Sequence, residues 1–323
     1  MVEKKHSYTN EINQFFDDQK NAKKHGMINR KNIVSSSLNF VPVNLRKIYA
    51  DLYYKLFKFL NSGKNYTVKK VHGSTMLLSL ADIGLSKDLI VYGTREMLST
   101  ERVKKILKKG DVVLDIGANM GYYCLLESKL VGKKGKVYAI EPVKSNIDVL
   151  KFNIFLNKYE NIQIDHLAIG NENGHVDMFL TDKSNRHSIF KYEESTDKKE
   201  RVPIMKLDTF VEKEGIKKID FIRMDPEGYE CEIIDGALNT LEKYKPKMFI
   251  ETHSPLTKYM KDKSVKSMLK KLKKIGYKID YLSIGNKKEK LTMNQIMNDM
   301  RFADETVDEK KYGRKATFRI FFK

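Results

Sequence analysis

Four short runs in this 323-residue chain carry residue types from which an active site can be assembled. In the first, Asp115-Ile116-Gly117-Ala118-Asn119-Met120-Gly121, an acid follows the apolar run Val112-Val113-Leu114 and two glycines bracket a turn. Such a run reads as a buried parallel strand, and ligands of open α/β sheets bind where strands end and helices begin. Glycine at that point lets a ligand reach the backbone with no Cβ in the way. In the second run, Lys136-Val137-Tyr138-Ala139-Ile140 closes on Glu141-Pro142. The third, Met224-Asp225-Pro226-Glu227-Gly228, and the fourth, Phe249-Ile250-Glu251-Thr252-His253, bring further carboxylates and an imidazole to predicted strand ends.

The spacing narrows the chemistry. A dinucleotide fingerprint counted from Gly117 needs glycine at positions 119 and 122, which hold Asn119 and Tyr122, so it fails. An acid at a strand end followed by Gly-x-x-x-Gly instead suits S-adenosylmethionine, which has no pyrophosphate but carries an ammonium that attracts a carboxylate. Glu141 is then placed to accept hydrogen bonds from both ribose hydroxyls. Methyl transfer is an in-line displacement at an activated sulfonium carbon. The protein aligns the partners and, for an alcohol, removes a proton.

Asp225, Glu227 and His253 are the candidate bases, with His253 favoured. Each has a structural alternative: Asp225 holding a helix N-terminus, Glu227 paired with a surface lysine, His253 an ordinary loop residue. The three could also hold a divalent cation; the reading adopted here assigns no metal. Base-amine methylation calls for Asn/Asp-Pro-Pro-aromatic, and Glu227 and Gly228 stand where the second proline and the ring would be.

The elements that must position these groups alternate along the chain. Residues 45–60 have helical apolar spacing, with a stripe expected to pack on the main domain rather than in a membrane interface. Residues 66–71 and 75–80 read as a hairpin through His72-Gly73-Ser74, and 103–108 as a short helix. Beyond the cofactor loop, 145–156 reads as helix, 162–167 as strand, and 174–206 as an excursion beside the sheet's active edge. Asp208 is placed to cap a helix through 213; 219–223 then reads as strand, 229–244 as helix and 247–251 as strand. A basic helix over 265–275, a strand over 278–284, a polar insertion over 285–314 and a last strand over 316–322 complete the series. The predicted fold is α/β, a Rossmann-like, mostly parallel sheet. Its last strand, reached without a helical crossover, is antiparallel. Residues 1–70 form a basic helical N-terminal extension, and 71–323 one catalytic domain with insertions at 174–206 and 285–314.

The formal charge of +19 sits on the flanks. Residues 1–70 hold 14 Lys/Arg against 5 Asp/Glu, residues 256–323 hold 19 against 8, and 71–255 hold 28 against 29. That favours an attachment surface for something anionic, a membrane or RNA, over a catalytic cleft built for polyanions. The polar, mixed-charge start is not a secretory signal, and no run of about 18 apolar residues provides a membrane span. Cys124 and Cys231, both in predicted helices, read as buried small hydrophobes of a reducing compartment, so the expected location is cytoplasmic.

The run from Asp115 to Tyr122, Glu141-Pro142, the Ala168-Ile169-Gly170 turn, Leu207-Asp208, Asp225-x-Glu227-Gly228 and Glu251-x-His253 together resemble the FkbM family of S-adenosylmethionine-dependent methyltransferases over 71–255. The resemblance implies a class I methyltransferase fold and O-methylation of hydroxyls on sugars or natural products, with some members resembling carboxyl methylators of glycans. It maps Glu96, Asp115, Gly117, Ala118, Asn119, Gly121, Glu141, Pro142, Ala168 and Asp225 to the cofactor pocket, and Asp225, Glu227 and His253 to the catalytic edge. Pro226 departs from the family's usual aliphatic residue. The expected acceptor is a hydroxyl of a glycan, glycolipid or other small molecule. The alternatives are an RNA ribose hydroxyl, or a degenerate fold acting as a binding adaptor.

Overall fold

The computed structural model describes residues 43–253, 264–284, 287–289, 292–298 and 317–323. The expectation for 1–42 and most of the 285–314 insertion lie outside these residues.

Five parallel strands, in the order β10-β9-β3-β4-β5, form one side of an eight-stranded sheet: β3 (Val112–Ile116), β4 (Lys136–Ile140), β5 (Ile162–Asp165), β9 (Phe221–Met224) and β10 (Lys247–His253). Strand β3 lies between β4 and β9, so the connections diverge at its carboxyl end, where ligands of such sheets bind. The run Val113-Leu114 is apolar because both sheet faces are covered. The predicted last strand, β13 (Thr317–Phe322), is antiparallel and lies between β10 and β11 (Ile279–Ile284), with β12 (Lys287–Glu289) at the edge. Its alternation sends Phe318, Ile320 and Phe322 to one face and Phe321 to the other, where Phe321 stacks on Phe249 at 4.4 Å.

One face carries α6 (Leu207–Lys213), α7 (Glu230–Asp235), α8 (Leu238–Tyr244), α9 (Val265–Lys274) and α10 (Met293–Asn298), all contributing to a single core. The other carries α1 (Val43–Leu60), α2 (Leu85–Tyr92), α3 (Met97–Ile106), α4 (Tyr122–Val131) and α5 (Lys144–Asn157), with Leu150 of α5 in that core. The hairpin of β1 (Tyr66–Val71) and β2 (Ser74–Ser79) forms its own antiparallel pair. Both cysteines are buried, and neither forms a disulfide among the described residues.

Several elements differ from the sequence reading. Helix α2 was not foreseen, and α3 begins six residues before the predicted helix. The strand expected over 162–167 stops at Asp165, where the chain turns into β6 (Ala168–Gly170). With β7 (Gly174–Phe179) and β8 (Lys199–Lys206) this makes a separate sheet of order β6-β8-β7. The helix expected over 229–244 breaks at Gly236, a position kept as glycine because a Cβ there would collide with the Gly170 carbonyl. Asp208 caps α8 rather than its own helix: Asn239 N–H and Thr240 N–H donate to its carboxylate at 3.2 and 2.8 Å.

Candidate active site

The carboxyl ends of β3, β4 and β9 open onto a cleft. Of the predicted site residues, Glu96, Gly117, Ala118, Asn119, Glu141, Pro142, Ala168, Asp225 and Glu227 line it. Asp115, Gly121 and His253 lie outside its lining.

The half formed by β3 and β4 is built from backbone and amides. Gly117 N–H and Ala118 N–H donate to the Ile140 carbonyl at 2.9 and 3.1 Å, stapling the turn to the end of β4. Gly117 has φ +83°, and a Cβ on it would strike the Asp225 carbonyl, so only glycine serves there. Asn119, also left-handed at φ 52°, turns its N–H onto Glu141 Oε2 at 2.8 Å. Glu141 Oε1 accepts from Val143 N–H at 3.0 Å and Asn146 Nδ2 at 3.1 Å. Those three donors leave the carboxylate room for one further hydrogen bond, where the sequence reading expected two from a ribose. Burial lifts its pKa to about 7, against the pull of these donors.

The excursion after β7 folds over this half as a strap. The Ser184 carbonyl accepts from Asn119 Nδ2 at 2.7 Å and from Asn146 Nδ2 at 3.1 Å. Its N–H and hydroxyl donate to Asp82 at 3.0 and 2.9 Å. Asn146, Ser184 and Asp82 were missed in sequence. Their only signal was Asn146 lying five residues beyond Glu141; nothing local marked the other two.

Asp115 lies beneath the cleft and is fully buried. Strand register pairs it with Arg223, whose Nη1 donates to Asp115 Oδ1 at 2.9 Å and whose Nη2 donates to Asp225 Oδ2 at 2.7 Å. The Tyr123 ring faces that guanidinium at 4.4 Å. The acid expected to meet the cofactor's ammonium therefore anchors an arginine of the cleft wall. Below it, Glu127 of α4 is fully buried with no hydrogen-bond partner on either oxygen among the described residues; burial, then Asp115, hold its pKa well above the usual carboxylate range. Glu96 accepts from Arg95 Nε and from the Tyr123 hydroxyl, both at 2.9 Å. Burial alone would raise its pKa, but Arg319, Arg95 and Arg223 hold it at about 2.

The half formed by β9 and β10 is charged. Asp225 Oδ1 is buried without a hydrogen-bond partner among the described residues, and Glu227 stands at φ 49° with its carbonyl accepting from Ser188 Oγ at 2.9 Å. His253 lies behind both. Its Nε2 is 3.4 Å from Glu227 Oε2 and 3.8 Å from Asp225 Oδ1, and its Nδ1 is 2.7 Å from Glu230 Oε1. Burial would lower its pKa, but Glu227, Glu230 and Asp225 together raise it well above the usual value. The imidazole favoured as the base is thus pushed toward its protonated form, and it lies outside the cleft lining. Glu227 lines the cleft instead, its pKa raised to about 7 by burial, with His253 opposing.

Asp225, Glu251 and His253 place ligand-type atoms within 4.8 Å of one another, a spacing that a cation could bridge. Both Glu251 oxygens, however, already face Arg319, at 2.8 and 3.3 Å. A cationic sulfonium ligand with an ammonium tail fits the residues present. The cleft holds an unsatisfied Asp225 oxygen, an open acceptor position on Glu141 and a turn kept free of a Cβ at Gly117.

The protein-L-isoaspartate(D-aspartate) O-methyltransferase model matches residues 20–173. Among curated proteins, protein-L-isoaspartate O-methyltransferase 1 of Archaeoglobus fulgidus is 33% identical over 58 residues, 18% of this chain and 27% of that relative. This chain therefore spans little more than a quarter of that relative's length. Among solved structures, methyltransferase FkbM from Methylobacillus flagellatus KT is 14% identical, covering 73% of this chain and 52% of that one, with a TM-score of 0.40. M. jannaschii TYW2 in complex with AdoMet is 20% identical, covering 81% and 88%, with a TM-score of 0.42. The methyltransferase FkbM domain model matches residues 115–279, from the end of β3 to the start of β11 and just over half of the sequence. The chain belongs to the FkbM methyltransferase family.

Proposed function

We propose that this chain binds S-adenosylmethionine in the cleft and promotes transfer of its methyl group to a hydroxyl of a glycan, glycolipid or other small acceptor, with Glu227 as the proton acceptor. The observation that carries this reading is Glu227 itself: a half-buried carboxylate in the cleft lining, 3.4 Å from an imidazole whose pKa the surrounding acids raise, with its own pKa near 7. A base is most effective when its pKa lies near the working pH. When bound, the cofactor supplies the electrophilic methyl carbon. Glu141 and the Asn119 turn orient it, Ser184 and its strap shield it, and Asp225 offers an unsatisfied oxygen to positive charge. Glu227 takes the hydroxyl proton while His253, held by Glu230, keeps that carboxylate in place.

The short matches to isoaspartate methylators favour one rival, a carboxylate acceptor. A carboxylate is already deprotonated, so it needs no base. The test is a radiolabelled methyl-transfer screen against glycans, glycolipids, RNA and isoaspartyl peptides, run with wild type and Glu227→Gln. Base-stable methyl ethers on a glycan, lost in Glu227→Gln, are expected. Base-labile methyl esters formed equally well by Glu227→Gln would replace this reading with the carboxylate one.

A further inference from the structure

Helix α1 is apolar on two sides. Ala50 and Tyr54 are buried against the domain, with Tyr53 and Phe57 packed beside them. The Tyr54 hydroxyl donates to the Leu80 carbonyl at 2.9 Å, and Asp51 pairs with Lys87 of α2, so the helix is firmly seated. Its other side carries Ile48, Leu52, Leu56, Phe59 and Leu60, each 53–74% exposed. At 100° per residue these fall on one arc of about 120°, with Lys55 and Lys58 along one border. A helix that is apolar all round is normally buried all round.

We propose that this outer face of α1 docks on an anionic lipid surface, the helix lying in the membrane plane. The charge around it selects that partner. Lys55 and Lys58 are exposed, the helix's one acid is paired, and residues 43–70 hold seven Lys/Arg against one Asp. An apolar arc bordered by lysines is the pattern of an interfacial helix, which gains from buried apolar area and from attraction to anionic headgroups. A second copy of the chain would bring the same positive charge to the same face. RNA would gain little from five apolar side chains that offer no donor to phosphate. No helix among the described residues is long and apolar enough to cross a membrane, so contact would be at the surface.

The test uses the full chain and co-sedimentation with vesicles of phosphatidylcholine, with and without phosphatidylglycerol. Wild type should bind the mixed vesicles, more weakly as salt rises. Leu52→Ser combined with Phe59→Ser should weaken binding by roughly tenfold or more. Lys55→Glu combined with Lys58→Glu should lose the preference for phosphatidylglycerol while still folding, as judged by circular dichroism. Wild type that ignores both vesicles, or a serine variant that binds like wild type, would overturn the proposal. So would a wild-type dimer that the serine variant dissociates, or vesicle binding that appears only once residues 1–42 are deleted. The readout is binding rather than turnover, so it stands or falls separately from the methyl-transfer reading.

Discussion

The two halves of the cleft are made by different means. On the β3–β4 side the groups that shape the wall are neutral or singly charged and nearly all engaged: two backbone N–H groups staple the turn, and three donors hold Glu141, leaving one acceptor position open. On the β9–β10 side Asp225, Glu227, Glu230 and Glu251 surround one imidazole and two arginines, Arg223 and Arg319, and an Asp225 oxygen has no donor among the described residues. Satisfied groups make a rigid mould, which suits recognition. Under-satisfied buried charges raise pKa values and leave bonds to be made during reaction, which suits chemistry. Substitutions on the first side should therefore change affinity, and those on the second turnover.

The largest effect belongs to the charged side. Glu227→Gln should lower turnover by about 10²–10⁴ with nearly unchanged cofactor affinity, as expected for loss of a general base. Because the base must be deprotonated, wild-type turnover should fall as pH drops below about 7, and the variant should lose that limb. A normal pH profile in Glu227→Gln would return the base to His253. Next comes the floor that joins the halves. Asp115→Ala leaves Arg223 buried without one partner, which costs about 3–5 kcal/mol. Its signature should be a lowered Tm, and an unchanged Tm with lost affinity would instead place Asp115 at the cofactor. On the neutral side, Glu141→Ala should weaken S-adenosylmethionine binding roughly tenfold, from loss of one charge-assisted acceptor worth about 1.5–3 kcal/mol. Calorimetry at wild-type affinity would undo that assignment. The smallest effect is expected for Asp82→Ala, which frees the strap at Ser184. Affinity should drop severalfold, with loop 181–190 more open to protease.

The same contrast explains what could be read from the sequence. Strand ends with acids and glycines are local signals, so Gly117, Asn119, Glu141, Asp225 and Glu227 were found and do line the cleft. The roles of Asp115 and His253 were set by neighbours distant in sequence. Arg223 reaches Asp115 through strand register, and Glu230 holds His253 from a helix start 23 residues earlier. Arg319 arrives opposite Glu251 only because β13 runs antiparallel beside β10. Asp208 shows the same failure in miniature: the acid was recognised as a cap, but the helix it caps is 31 residues away. Short-range pattern specifies which groups approach an edge. Which partner neutralises each one is a tertiary fact.

The position of β13 has a consequence for how the molecule comes to exist. The strand enters between β10 and β11, so those two, although earlier in the chain, have no hydrogen bonds to one another. Until residues 317–322 arrive, each presents an open edge, a template for pairing with other chains. Glu251, meanwhile, waits for the arginine that neutralises it. Pairings of such long sequence separation form slowly, since loop closure precedes any reward. The charged side of the cleft should therefore be among the last parts to assemble. A chain shortened before residue 317 is expected to aggregate rather than persist as a partly active enzyme.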